Sequence, residues 1–265
     1  MERALRISIA QPTYLPWLGY FDLLDQVDQF VLLDSVQFER QSWQQRNRIK
    51  TPQGLAWLTI PVMSRGRLSQ RIADVNIREP EFWRGHLRAV ELNYRRSPFF
   101  NRYFFELRER IEALASNPSL AEFTISLLRW FAEVIGITTP MVRSSELAVD
   151  GKRTELLAEI CLSLDASVYL SPLGSSEYLL SELPALTGRG IEVRFHHYEH
   201  PIYRQMFPPF QPYACVLDLL FNEGENALEI IRSGRRHSFL PDEVASQIDT
   251  SRTYASQIYQ KVSCG

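Results

Sequence analysis

The sequence predicts an α/β protein with a parallel or mixed central sheet flanked by helices. Short apolar runs of strand length recur along the chain, and segments with helical spacing lie between them. Prolines, glycines and asparagines separate the two kinds of segment. Hydrophobic residues make up 45% and charged residues 23% of the chain, which is the balance of an ordinary folded protein.

The opening of the chain has the pattern strand, loop, helix, strand. Arg6–Ala10 alternates in polarity, and Phe30–Leu33 is an apolar block. Between them, Tyr14–Val27 has a proline near its start and apolar residues at helical spacing. A crossover helix joins parallel strands, so the loop from Gln11 should lie at the carboxyl end of the first strand, where such sheets bind ligands.

Later segments continue the alternation after a largely helical stretch. Leu55–Val62 predicts a strand and Ile72–Ile77 a short one, and residues 79–136 predict a helical insertion. Beyond it we expect strands at Met141–Leu147, Val168–Ser171 and Ile191–Tyr198, helices at Thr154–Leu164, Ser175–Leu186 and Cys215–Asn222, and an aromatic loop at Pro201–Tyr213. We expect one domain over residues 1–248 that includes the insertion, and a polar tail at 249–265.

Composition excludes several classes of protein. A formal net charge of -2 provides no global attraction to nucleic acid or anionic membranes. The isolated residues Cys161, Cys215 and Cys264 indicate neither a disulfide framework nor a zinc site. No leader and no stretch of roughly 20 apolar residues is present, so we expect a cytoplasmic protein without membrane insertion. The motifs of common hydrolases, NTPases, dinucleotide enzymes and zincins are missing.

The loop after the first strand is the first candidate site. Gln11, Thr13 and Tyr14 follow a strand and precede a helix, where backbone N–H groups can meet an anion. They predict a pocket for a small molecule or phosphate. The alternative is that Pro16 begins the helix and Trp17 belongs to its core face.

Asp34 follows the second strand, next to that loop in the predicted sheet. Its carboxylate could act as a general base, and an equally good alternative is a turn aspartate that bonds to local backbone.

A basic run follows. Arg46, Arg48 and Lys50 share one face if the segment is extended, and guanidinium groups suit phosphate oxygens. The neighbours Trp43 and Asn47 favour a binding role over the alternative, a solvated basic edge.

Two further candidates lie in the second half. His197 belongs to a cluster of three histidines at 196–200 and could transfer a proton, whereas strand alternation separates the rings and argues against a metal site. Ser171, Gly174 and Tyr178 lie in a strand-to-helix turn that could hold an anion or simply cap a helix.

Several long sequence segments resemble those of the WbqC-like protein family. They are IAQPTYLPWLGYFDLLDQVDQFVLLDSVQF, SWQQRNRIKTPQGLAWLTIPV, HLRAVELNYRRSPFFNRYF, YLSPLGSSEYL and DLLFNEG, in order from about Ile7 to Glu229. The family takes its name from a member encoded among O-antigen genes, and the resemblance implies transfer of an acyl group such as glycine to an amino sugar. Many members have His where this chain has Ala10, so a general base at that position is absent here.

The leading hypothesis is therefore a transferase of surface-glycan biosynthesis, with a small-molecule activated donor and a sugar acceptor. A non-catalytic nucleotide-sugar or glycan binding module is an alternative, in which aromatic residues supply stacking surfaces. A nucleotidylyltransferase-like enzyme is another, although the paired histidines of its HIGH motif are missing. Recognition of tRNA would need a wide basic stripe, and the near-neutral charge argues against it. The sequence specifies neither a cofactor nor an oligomeric state.

Overall fold

The computed structural model describes residues 4–67 and 69–247, which form two compact units. The larger unit comprises Ala10–Ala148 and Tyr198–Arg235. The smaller unit comprises the residues up to Ile9, Val149–His197 and the residues from Arg236. One domain over 1–248 remains a prediction, and the predicted tail at 249–265 lies outside the described residues.

A five-stranded parallel sheet confirms the predicted α/β class. In order along the described chain, the strands are β1 (Arg6–Ala10), β2 (Gln29–Leu32), β3 (Arg46–Thr51), β4 (Gly54–Thr59), β5 (Met141–Arg143), β6 (Val168–Ser171) and β7 (Glu192–Phe195). All except β3 and β4 belong to this sheet. The sheet has the order β5-β2-β1-β6-β7, with Val31 opposite Val142, Ile7 opposite Tyr169 and Tyr169 opposite Val193. These strands are short apolar runs because a parallel sheet is covered on both faces.

Helices follow the strands in the predicted rhythm. They are α1 (Leu18–Asp25), α2 (Phe82–Tyr94), α3 (Phe100–Leu114), α4 (Leu120–Ile135), α5 (Thr154–Ser163), α6 (Ser176–Leu179), α7 (Pro184–Thr187), α8 (Val216–Glu223) and α9 (Ala227–Ser233). Residues 241–247 are also helical. Helices α2, α3 and α4 lie within the predicted helical segment 79–136. Within the described chain, we find no helix with the length and apolar character needed to cross a membrane.

Helix α4 shows how local chemistry sets these boundaries. Its N-cap Ser119 accepts a hydrogen bond from the Glu122 N–H at 3.3 Å, and it ends at Gly136, whose φ of 93° suits a residue without Cβ. Its apolar face includes Trp130 and Phe131, which are almost completely buried in the larger unit. Burial of each such side chain contributes about 1.5–3 kcal/mol.

Strands β3 and β4 form a separate antiparallel hairpin in the larger unit. Arg48 lies opposite Trp57, and Arg46 lies opposite Thr59. Because directly paired residues share a face, and so do residues two apart, these four side chains project from one side of the hairpin. The sequence predicted β4 and allowed for an extended β3, but it did not predict their pairing.

Two sequence predictions require correction, and one helix was missed. Ile72–Ile77 is not a strand: a 3-10 turn occupies Ile72–Asp74, where the N–H groups of Ile72 and Ala73 donate to Val36 and Asp34. The predicted helix Ser175–Leu186 is divided into α6, a 3-10 turn and α7, which begins at Pro184, a residue without an N–H. Helix α9 was not predicted.

Candidate functional site

The loop between β1 and α1 has a strained backbone that Asn47 holds in place. Leu15 has a φ of 46°, a left-handed conformation that costs a residue with a Cβ about 1–2 kcal/mol. The Asn47 side-chain amide donates to the carbonyl of Leu15 at 2.8 Å and to that of Tyr14 at 3.1 Å. Asn47 is itself buried on β3. The hairpin therefore fixes the shape of the loop.

The side chain of Tyr14 attaches this loop to helix α2. Its hydroxyl lies 2.9 Å from Nδ1 of His86 on α2, and its ring is buried. Burial raises the pKa of Tyr14 and lowers the pKa of His86 to about 4, so both groups are neutral at physiological pH. Tyr14 was predicted to contact substrate, and the structure directs its hydroxyl to His86.

The ring of Trp17 is packed against the start of α1. A Cβ added to Gly19 would lie 2.2 Å from that ring, so only glycine leaves room for it. The ring also meets Tyr213 edge to face at a centroid distance of 5.3 Å and stacks beside His200 at 6.3 Å. These neighbours hold Trp17 in one orientation, so its ring forms one wall of a cavity.

Two tryptophans and two arginines form a second wall, which we call the Trp–Arg rib (Trp43, Arg46, Arg48 and Trp57). The Arg48 guanidinium lies 5.5 Å from the ring of Trp43 and 5.4 Å from that of Trp57. Arg46 lies 4.3 Å above the ring of Trp57. Both tryptophans are nearly half exposed, 48% for Trp43 and 46% for Trp57. Large exposed aromatics braced by cations are typical of a binding surface.

A cavity of about 260 Å³ lies between these walls. It is lined by Thr13, Trp17, Tyr20, Trp43, Asn47, Arg48 and Tyr213, and we call it the aromatic pocket. Its volume is slightly smaller than that of sites for drug-sized ligands, which suits a single ring or sugar. Within the described chain, Nε of Arg48 is buried and has no hydrogen-bond partner. The pocket therefore combines aromatic surface with the side chain of Arg48, whose buried Nε lacks a partner.

Lys50 does not share the setting of the arginines. Its side chain is almost fully buried, and its Nζ donates to the carbonyl of Pro209 at 2.8 Å. Nearby, the buried carboxylate of Asp218 accepts hydrogen bonds from the hydroxyls of Tyr94 and Tyr203 at 3.0 and 2.7 Å. Burial lowers the pKa of Lys50 and raises that of Asp218. Lys50 thus belongs to an internal polar network rather than to the Trp–Arg rib.

Asp34 is fully buried and its carboxylate is surrounded by donors. It accepts from Nε of Arg143 at 2.7 Å, from Oγ of Ser144 at 3.2 Å, and from the N–H and Oγ of Ser145, both at 2.9 Å. Arg143 also bonds to Glu122. These bonds join the segment after β2 to the segment after β5. The alternative of a bonded turn aspartate describes this geometry better than a free general base.

Gln11 supports the loop from its other end. Its Oε1 accepts from Nε2 of Gln44 at 2.8 Å, and its backbone carbonyl accepts from the hydroxyl of Tyr20 at 3.1 Å and that of Thr13 at 3.3 Å. Thr13 and Tyr20 line the aromatic pocket, whereas Gln11 orients both of them.

The other predicted residues belong to the smaller unit. Oγ of Ser171 lies 2.6 Å from Oγ of Ser175, Gly174 has open space where a Cβ would be, and Arg153 lies 5.8 Å from the exposed ring of Tyr178. His197 stacks on Phe239 at 4.1 Å. Across the described residues, no group of three or more His, Cys, Asp and Glu side chains could hold a metal ion.

His200 belongs to the histidine cluster at 196–200, from which the sequence-based prediction selected His197. Its Nδ1 lies 2.8 Å from the carbonyl of Pro201, which can only accept, so Nδ1 carries the proton and Nε2 the lone pair. This Nε2 is buried and has no partner in the part of the chain that the structure describes, and burial lowers the His200 pKa. The ring contacts Trp17 and Tyr213 of the aromatic pocket. The signal available in the sequence was its position before the aromatic loop.

Comparison with known proteins supports the resemblance read from the sequence. The WbqC-like protein family matches residues 11–230. The chain is similar to the Uncharacterized protein Rv1507c of Mycobacterium tuberculosis, with 32% identity over 235 residues, which cover 87% of this chain and 99% of that protein. No solved structure matches.

Proposed function

The chain belongs to the WbqC-like protein family, and from this we propose that it is a transferase of bacterial surface-glycan assembly that binds a sugar-bearing, anionic ligand in the aromatic pocket. The reaction is transfer of an acyl group such as glycyl from an activated donor to an amino sugar. The observation that carries the proposal is the buried, partnerless Nε of Arg48 beside two exposed tryptophans. A buried donor without a partner is costly, and an anionic ligand would satisfy it.

The walls suit a sugar. Trp17, Trp43 and Tyr213 present flat aromatic surface, on which the C–H faces of a pyranose can pack. Thr13 supplies a hydroxyl at the same cavity, which can orient a hydroxyl or amide substituent of the ligand, whereas the side chain of Asn47 is used in holding the loop. The small volume restricts this pocket to one ring, so the remainder of a larger ligand would lie outside it.

Acyl transfer also needs a group that accepts a proton. The amine of the acceptor attacks the acyl carbonyl, a C–N bond forms, the bond to the leaving group breaks, and the amine proton moves to a base. We propose Nε2 of His200 for this step, since its tautomer is fixed by Pro201 and the lowered pKa keeps it neutral. Because Nε2 is buried in the structure, its neighbours, which include the ring of Tyr213, would have to move before it could accept the proton. For Asp34 we propose that it positions the segment after β2. In the smaller unit, proton transfer by His197 and anion binding by Ser171, Gly174 and Tyr178 remain proposals.

A non-catalytic sugar-binding module is the second candidate. The residues that line the aromatic pocket include no carboxylate, lysine or histidine, which favours binding without chemistry. The two candidates share the ligand and differ in whether a product forms.

A binding and turnover experiment tests both. Purified protein is titrated with nucleotide-linked amino sugars, and then supplied with acyl thioesters, or with glycine and ATP, while the mass of the sugar is followed. We expect Arg48→Gln to weaken sugar binding by about tenfold or more, since a hydrogen bond to a charged group contributes about 1.5–3 kcal/mol. Trp83→Ala on α2, away from the pocket, is the matched control for Trp43→Ala.

The outcomes separate the candidates. A mass increase of the sugar that His200→Gln abolishes while binding persists supports the transferase. Binding without any product supports the module. If Arg48→Gln and Trp43→Ala bind every sugar as tightly as the wild type does, the pocket is not the site.

A further inference from the structure

A second cavity in the larger unit is lined by arginines. It has a volume of about 790 Å³, and Arg40, Arg65, Arg67 and Arg78 contribute to its lining together with Gln45 and Thr59. We call it the arginine cleft. The residues of the aromatic pocket are all different, so the two cavities are separate sites.

The charge in this cleft is unbalanced. Its lining contains four guanidinium groups and no Asp or Glu, in a chain whose net charge is -2. Arg78 is paired with the exposed Glu79, whereas Arg40, Arg65 and Arg67 form no ion pair among residues 4–67 and 69–247. Like charges gathered without counterions repel one another, and a bound polyanion would remove that cost.

Two tethered turns carry the unpaired arginines. Arg65 lies within a turn that is closed by the N–H of Arg67 donating to Ser64 at 3.3 Å, and Gly66 takes the left-handed position with a φ of 73°. Arg40 precedes Gln41, whose N–H donates to the side chain of the buried Gln45 at 3.2 Å.

Backbone pairing holds the first of these turns against the segment at 76–78. Met63 N–H donates to Asn76 at 2.8 Å, Arg78 N–H donates to Pro61 at 2.8 Å, and Val62 forms a bridge with Ile77. The arginines thus extend from fixed backbone, which reduces the entropy lost when they bind a ligand.

Thr59 connects the cleft to the Trp–Arg rib. Thr59 lines the cleft, lies two residues from Trp57 on β4, and is paired with Arg46 on β3. These side chains share one face of the hairpin, so an anionic ligand in the cleft could extend along it.

We propose that the arginine cleft binds the diphosphate group of a phosphoanhydride ligand. Guanidinium forks pair with phosphate oxygens in a bidentate manner, and several of them match two linked phosphates better than one. A nucleoside diphosphate and inorganic pyrophosphate offer this same chemistry. This site goes beyond the proposed function, because its residues and its ligand do not depend on sugar binding in the aromatic pocket.

Calorimetric titration tests the proposal with pyrophosphate, phosphate and sulfate as the probes. The double variant Arg65→Gln, Arg67→Gln is compared with Arg95→Gln, Arg96→Gln, which removes the same charge from an exposed stretch outside the cleft. We expect the wild type and the control pair to bind pyrophosphate equally, the cleft pair to bind it at least about tenfold more weakly, and added salt to weaken binding. Phosphate should bind the wild type at least about tenfold more weakly than pyrophosphate does.

Further arms of the experiment identify the ligand and guard against misfolding. Arg40→Gln, on the other turn, should weaken binding in the same direction, and thermal melts of all variants should match. Tighter binding of uridine or adenosine diphosphate than of pyrophosphate assigns a nucleotide, and equal binding assigns the diphosphate alone. Arg48→Gln should bind pyrophosphate normally, which separates this proposal from the proposed function.

Any of three results would overturn the inference. The first is equal affinity of the cleft pair and the control pair for pyrophosphate. The second is sulfate that binds as tightly as pyrophosphate. The third is an RNA oligonucleotide that requires the cleft and is not displaced by pyrophosphate.

Discussion

The side-chain amide of Asn47 donates to the carbonyl of Leu15 at 2.8 Å, and Leu15 is a buried residue whose φ of 46° lies in the left-handed region. Asn47 lies on β3 and Leu15 lies in the loop before α1, so a single amide joins the hairpin to the loop that carries Thr13 and Trp17. The shape of the aromatic pocket depends on this bond.

Removal of that amide should destabilise the larger unit. Asn47→Ala loses the two hydrogen bonds that the side-chain amide donates and the one that its Oδ1 accepts from the Arg48 N–H. Two carbonyls and one N–H lose their side-chain partner, which we expect to cost about 2–4 kcal/mol of unfolding free energy. Urea denaturation measures this loss. Asn93→Ala, which removes one local bond to Ala89 within α2, should cost far less. Equal losses in the two variants would show that Asn47 does not hold the loop.

Gly19 should not tolerate a methyl group. Gly19→Ala places a Cβ 2.2 Å from the Trp17 ring, which must move, and we expect a loss of about 1–3 kcal/mol together with a changed tryptophan emission spectrum. Gly85→Ala is the control, because no atom lies within 4 Å of the added Cβ on α2. That substitution should stabilise the helix by up to about 1 kcal/mol. A neutral Gly19→Ala would mean that Trp17 is not confined.

Stability should depend on pH through His86. Its pKa is about 4 in the folded protein, below the unfolded value of 6.5, so the unfolded state binds the proton more readily. The unfolding free energy therefore carries no cost from His86 above pH 6.5. It decreases as the pH falls towards 4, by roughly 3 kcal/mol at most.

Denaturation curves at a series of pH values measure this effect as a difference between variants. His86→Gln should lessen the loss of stability between pH 6.5 and 4. Parallel profiles for the wild type and His86→Gln would contradict the assignment.

Asp34 should behave as a structural residue. Asp34→Asn leaves Arg143 with a reduced counter-charge and disturbs the bonds from Ser144 and Ser145, so we expect a loss of about 3–5 kcal/mol. Asp74→Asn, in an exposed pair with Arg71, should have a much smaller effect. Full stability of Asp34→Asn together with loss of the proposed acyl transfer would instead support the catalytic role.

The local part of the fold could be predicted because its signals are local. Alternation marked β1, and the spacing of apolar residues after Pro16 marked α1. The 3-10 turn at Ile72–Asp74 could not, since an apolar run alone does not reveal that its N–H groups bond to the segment after β2. Ser175–Leu186 has apolar residues at helical spacing, which predicted one helix. Pro184 lies within this segment and begins a separate helix, because proline has no N–H to continue the first one.

The candidate site could be predicted only where neighbours in sequence are also neighbours in space. Thr13, Trp43, Asn47 and Arg48 were chosen from the sequence and line the aromatic pocket. Lys50 was chosen by the same alternation, but Pro209, which accepts its ammonium proton, is 159 residues away. No spacing rule within a short window reports such a partner. The arginine cleft likewise depends on pairing between segments at 61–63 and 76–78.

The turn at the tip of the hairpin constrains how this protein can change in evolution. Side chains alternate between the two faces of a strand, so one residue inserted or deleted between Thr51 and Gly54 would shift β4 by one residue against β3 and turn its side chains to the opposite face. Trp57 would then leave the face that carries Arg48, and the Trp–Arg rib would be lost. Relatives that keep the ligand should therefore differ in the residue types of this turn but not in its length.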